Sequence, residues 1–415
     1  MSDPASGTRK RLDHVDAMRP VKQVAVISTH AIIFLAPVTA GLARQNLLVF
    51  THFSREAFLF VSACMLAYSY QTAERVELRH YVKRRFVAVG IPYLTWTVIY
   101  FFYVSLVRRS GFPYYGDNTH LILGWSGLHR LAHLTLVGYY HLYYLVVLIE
   151  FYVVFPLVLR AVRRAQRWHG RLILAALAAQ VLYDIFWRQI FRVVVDLHLA
   201  SASTAGFWES RAVTSYTFVL VSGIVVALHL DAVHDWICAH RYLILGFTGA
   251  AGLYAVLMDS WRGTGFAHRV LVPGFDPFSI SVIPYNVGAI LCVYLLGVYL
   301  VGERRSVRTR AVVASGAECA YGIYLSQLLW IPILVRVVAA VRPGGPWWIT
   351  TFVAVVIVYL AGFAFAGLAA RTPLARGLTG RGVATWGSLV PHWRVAPAPP
   401  AESYDDGPLD LTASD

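Results

Sequence analysis

Arg19 and His30 stand eleven residues apart in a stretch that becomes almost wholly apolar after Gln23. On an α-helix, eleven residues make about three turns plus roughly 20°, so both side chains share one face, about 16 Å apart along the axis. An imidazole is the side chain best suited to take a proton near neutral pH. An arginine at the far end of the same face suits a phosphate-bearing ligand. Glu56 follows in the next apolar stretch, within Phe53-Ser54-Arg55-Glu56-Ala57-Phe58. A carboxylate beside an imidazole fixes its tautomer and raises its basicity, and the spacing is compatible with a His30–Glu56 pair. The chemistry open to such a set is proton transfer at a hydroxyl, with an anionic donor held by Arg19.

The elements that position these groups follow from composition. Of the 415 residues, 58% are hydrophobic and 14% charged, against about 25% charged in an ordinary soluble domain. Apolar segments recur at about 18–22 residues, the length that spans a hydrocarbon core of roughly 30 Å. The short alternating strands of a closed barrel are missing, which leaves helices that satisfy their own backbone hydrogen bonds. The expected fold is an all-α polytopic bundle of about ten spans. They run over Pro20–Ala36, Leu48–Tyr68, Phe86–Val107, His141–Leu159, Leu172–Trp187, Val213–Leu230, Tyr242–Met258, Ile283–Leu300, Gly316–Val341 and Trp347–Ala369. The shorter apolar stretch Leu128–Tyr140 reads as a re-entrant or interfacial piece, or as an extension of the fourth span.

The net charge of +14 is not read as a nucleic-acid signal, because the basic residues sit in short runs between apolar segments. With the N-terminus inside, the inner loops and both ends hold 24 of the 36 Lys and Arg residues, which predicts both termini in the cytoplasm. The expected organisation is a cytoplasmic segment 1–18, a membrane domain 19–370 and a disordered cytoplasmic tail 371–415. Arg9, Lys10 and Arg11 before an apolar run imitate a secretory signal. Lys22, Gln23 and His30 interrupt that run, so it reads as a retained first helix. Aromatic residues cluster at span ends as an interfacial belt. No metal-ligand spacing links Cys64, Cys238, Cys292 and Cys319, which read as small buried hydrophobes. No internal repeat marks a transporter built of paired halves.

Ionisable groups inside a bilayer are costly and are functional candidates by default. Glu150 and Glu318 fall within predicted spans and must be paired or face a cavity. Arg84 and Arg85 close a basic run before the third span, with Arg85 the better placed for a donor. His141, Tyr144, Tyr321 and Tyr324 can line an acceptor pocket, although interfacial packing explains them nearly as well.

These residues also form a pattern. Asp16-Ala17-Met18-Arg19 with Thr29-His30-Ala31 resembles the opening helix of the membrane-bound acyltransferase 3 family, a basic residue, ten positions and a histidine. Glu56 to Ala63 is similar to its second motif, with Glu for the commoner Asp and Ala63 for Gly. Lys83-Arg84-Arg85-Phe86 to Trp96 resembles its basic entry to the third helix, without the further basic residue often found before Pro92. His141-Leu142-Tyr143-Tyr144-Leu145 resembles its His-Leu-Trp-Phe-Leu motif. Tyr321-Gly322-Ile323-Tyr324-Leu325 resembles a late motif after which a histidine often follows; Ser326 and Gln327 stand there.

The resemblance covers Asp13 to Leu368 and implies an integral membrane O-acyltransferase, multi-pass in the plasma membrane. It implies acyl-coenzyme A as donor substrate, often acetyl, with no bound cofactor. The implied acceptor is a hydroxyl of a sugar, glycolipid or secreted natural product. On that reading His30 and Glu56 are catalytic, as base or acyl relay with its partner. Arg19, Arg84, Arg85, His141, Tyr144, Glu150, Glu318 and Tyr324 bind substrate. The rivals are a sugar or lipid transporter or flippase with a His/Glu proton relay, and a sensor or scaffold without chemistry.

Overall fold

The computed structural model describes residues 12–73, 76–107, 124–197, 207–261, 279–341 and 346–383. All regular structure among the described residues is helical, with no strand. Helix α1 is Asp13–Leu35 and α2 is Gly41–Tyr70. α3, Leu78–Arg85, passes through a wider helical turn, Phe86–Gly90, into α4, Ile91–Val107. α5 is Trp125–Val137, α6 Tyr143–Arg164 and α7 His169–Asp196. α8, Thr217–Leu228, meets α9, Leu230–Ala239, at a bend of 100°. α10 is Arg241–Ser260, α11 Ile283–Val301, α12 Val307–Val341 and α13 Trp347–Ala369.

Each of the ten predicted spans falls on one of these helices. By length and composition the described residues supply eight membrane-crossing helices, or nine if the bent α8–α9 pair is one span. α1 is not among them, since its first half carries Asp13, Asp16, Arg19 and Lys22. Its neighbours account for this. α1 packs against α2, α11, α12 and α13, and so lies inside the bundle, where polar groups face protein instead of lipid. The outward faces of α7, α10 and α13 expose Leu182, Phe186, Leu243, Leu253, Phe352 and Leu360, an apolar surface of the kind lipid covers.

Two departures from regular helix matter for the site. The chain unwinds between α5 and α6, where Gly138 has φ +76° and Tyr140 φ +41°. The stretch assigned to Leu128–Tyr140 is therefore a separate helix followed by a break. Tyr139 stacks on Tyr100 at 5.5 Å and His141 meets Tyr324 at 5.0 Å, residues near the middles of α4 and α12. Irregular backbone at that depth is tolerated only when protein or a water-filled cavity surrounds it. At the other end of the domain, the chain beyond 370 stays on the bundle. A short helix α14, Ala375–Thr379, lies against α4, and Trp96 Nε1 donates to the Leu378 carbonyl at 3.1 Å. The N-terminal 1–11 and the tail from 384 lie outside the described residues.

Candidate active site

The break between α5 and α6 delivers His141 to the His30 side of α1. The His30 ring lies 5.3 Å from Tyr140 and 6.1 Å from His141. Gln327 of α12 lies close to the same ring. His141 is 3% exposed and Gln327 fully buried. Neither ring nitrogen of His141, neither amide atom of Gln327 and not Nδ1 of His30 has a hydrogen-bond partner. An unpaired buried polar group costs about 1–3 kcal/mol, so several in one place single this spot out as a candidate site. The backbone around it is held firmly: Tyr324 donates to the His141 carbonyl, and Tyr100 donates to that of Leu325 at 2.6 Å.

Glu56 is not the partner of His30. Its Oε1 accepts a hydrogen bond from Arg55 Nη2 at 2.6 Å, and its Oε2 is unpaired. The register of α1 against α2 explains this. Ile32 packs with Leu48 and Lys22 sits over Phe58, so the helices run antiparallel with His30 level with about residue 50. Glu56 lies about six residues deeper, roughly 9 Å along the axis. The Arg55–Glu56 pair is buried, at 9% and 8% side-chain exposure, beside Tyr216.

Below His30, toward the start of α1, polar groups continue. Lys22 is 3% exposed, with Nζ 3.7 Å above the Phe58 ring. Phe58 also touches Tyr144 and Tyr324 at 5.6 and 5.7 Å. Tyr321 stacks parallel to Tyr324, 6.4 Å away, and the hydroxyls of Tyr144 and Tyr321 are unpaired. Arg85 turns inward over Tyr152 at 5.6 Å, whereas Arg84 is exposed. Arg19 pairs with Asp16 at 3.1 Å. Arg381, Glu318 and Arg371 gather near it, around Cys319. The result is a column of aromatic and polar side chains from a basic mouth at Arg19 and Arg85 up to His30 and His141.

The structure thus brings Arg19, His30, His141, Tyr144, Tyr324, Glu318 and Arg85 to one column. It leaves Arg84 outside, and Glu150 accepts the Val213 amide at 2.9 Å, a fold contact. Sequence reasoning passed over Lys22, Gln23 and His52 and gave Gln327 no role. Lys22 is three residues from Arg19 and His52 four from Glu56, spacings that share a helix face. No group of three or more His, Cys, Asp or Glu able to hold a metal occurs among the described residues. All four cysteines are free thiols.

The model of the acyltransferase 3 family, described as an acyltransferase domain, matches residues 13–370. No curated protein and no solved structure matches the chain.

Proposed function

Because the chain belongs to the acyltransferase 3 family of membrane O-acyltransferases, we propose that the column is the path of an acyl-coenzyme A donor and that His30 is where transfer occurs. The observation that carries this reading is the cluster of unpaired polar atoms on His30, His141 and Gln327 at the head of a column whose foot is basic. Arg19, Lys22 and Arg85 attract the phosphates and polar groups of the donor from the cytoplasmic side. The thioester then reaches His30 between α1, α6 and α12. His30 either takes the acceptor's proton as its oxygen attacks the thioester carbonyl, or first accepts the acyl group itself. Tyr144, Tyr324 and His141 line the space around the reacting carbon.

The acyl group is acetyl, and the acceptor is a hydroxyl of a sugar, glycolipid or secreted natural product, in the plasma membrane. Ten spans with both ends cytoplasmic fit this arrangement, with α1 as the tenth span, sheltered by its neighbours. Purified protein incubated with acetyl-coenzyme A should release free thiol. Protein that consumes no thioester but moves a sugar or lipid across vesicles would instead be a transporter.

A further inference from the structure

Three imidazoles surround the point of transfer, and the protein sets the tautomer of one. His52 Nδ1 lies 2.6 Å from the Leu48 carbonyl oxygen, one turn back on α2. A carbonyl only accepts, so Nδ1 carries the hydrogen, and Nε2 of the neutral ring is a bare lone pair. This is the arrangement that prepares an imidazole to take a proton, with a carbonyl where a carboxylate more often stands. Glu56 gives His30 no such support, because it is engaged by Arg55, and His30 Nδ1 is unpaired.

His52 is also well placed. By the Ile32–Leu48 and Lys22–Phe58 pairings it lies within about two residues, roughly 3 Å, of the His30 level. It is within electrostatic reach of both His30 and Arg55. His52 is half-buried.

We propose that His52 is the base that deprotonates the acceptor, and that His30 carries the acyl group between donor and acceptor. This rests on the acyl-coenzyme A reading above and assigns its two chemical halves. In the first half a His30 ring nitrogen attacks the thioester carbonyl. The carbon–nitrogen bond forms, the carbon–sulfur bond breaks, and the proton shed by the ring goes to the departing thiolate. In the second half the acceptor's hydroxyl proton passes to His52 Nε2 as its oxygen bonds to the acyl carbon. The carbon–nitrogen bond breaks, and His52 returns the proton to the His30 ring. No oxidant or further co-reactant is needed.

The test uses the full chain in lipid nanodiscs with radiolabelled acetyl-coenzyme A and water as acceptor. His52→Ala should release about one equivalent of thiol and keep the label on the protein, freed by hydroxylamine. Its steady turnover should fall by about 100-fold or more, the scale of a lost general base. Added imidazole should restore turnover in His52→Ala but not in His52→Phe, where the space is filled. His30→Ala should take no label. A His52→Ala protein that turns over as fast as the unaltered chain overturns the assignment. So does one that is slow, unlabelled and not rescued. If the unaltered chain releases no thiol, the acyl-coenzyme A reading fails and this one falls with it. If the unaltered chain turns over while His52→Ala gives either of the two overturning results, only this assignment falls.

Discussion

At the scale of single residues, the partners of a buried charge separate groups that hold the fold from groups proposed to meet a ligand. Arg55 and Glu56 form a buried ion pair, so removing one strands a buried charge. Glu56→Ala should lower stability by about 3–5 kcal/mol, while Arg55→Met with Glu56→Leu should cost less than either single change. Denaturant unfolding in detergent measures both. Lys22 is the opposite case, a buried ammonium resting on an aromatic face. Its predicted ligand is the anionic donor, so Lys22→Met should raise KM for acyl-coenzyme A about tenfold or more, the worth of a charge-assisted contact. The protein itself should stay as stable as before. Arg19 and His30 were legible in the sequence because both share one helical face. The absence of a His30–Glu56 pair was not, because it depends on the register between two helices, which spacing alone leaves open. His52 went unnoticed for a similar reason: its tautomer is set by a backbone oxygen, which no residue pattern announces.

At the scale of elements, the break between α5 and α6 does the positioning. Apolar length alone left Leu128–Tyr140 ambiguous, since a hydropathy pattern does not show where a chain unwinds. Gly138 was the available sign. It sits at φ +76°, and a Cβ there would overlap the Tyr143 backbone. Gly138→Ala should therefore destabilise the protein by about 2 kcal/mol or more. It should also cut thiol release, because Tyr140 and His141 would move relative to His30. A thermal shift assay and a rate assay on the same preparation check this. A second close approach lies at Gly223, where a Cβ would come 2.6 Å from the Phe60 carbonyl. It lets α8 lie directly on α2, behind the site.

For the whole molecule, the apolar spans and the asymmetry of Lys and Arg were readable from sequence, because lipid imposes them on the chain irrespective of packing. α1 shows where that reading stops. It fails a composition test for spanning, yet it lies among α2, α11, α12 and α13. Its polar face is tolerated by its partners, and that polar face carries the proposed site. The charge pattern predicts both ends in the cytoplasm. A fluorescent protein fused after residue 383 should fold and fluoresce, and alkaline phosphatase at the same position should be inactive. Active phosphatase there would reverse the topology and put the basic mouth at Arg19 and Arg85 on the wrong side for a cytoplasmic donor.

The central claim is that acyl transfer occurs at His30, and thiol release from acetyl-coenzyme A by purified His30→Ala protein tests it most directly. The predicted result is a rate lower by about 100-fold or more in a protein that is inserted and folded like the unaltered chain. A His30→Ala protein that releases thiol at the unaltered rate would contradict it.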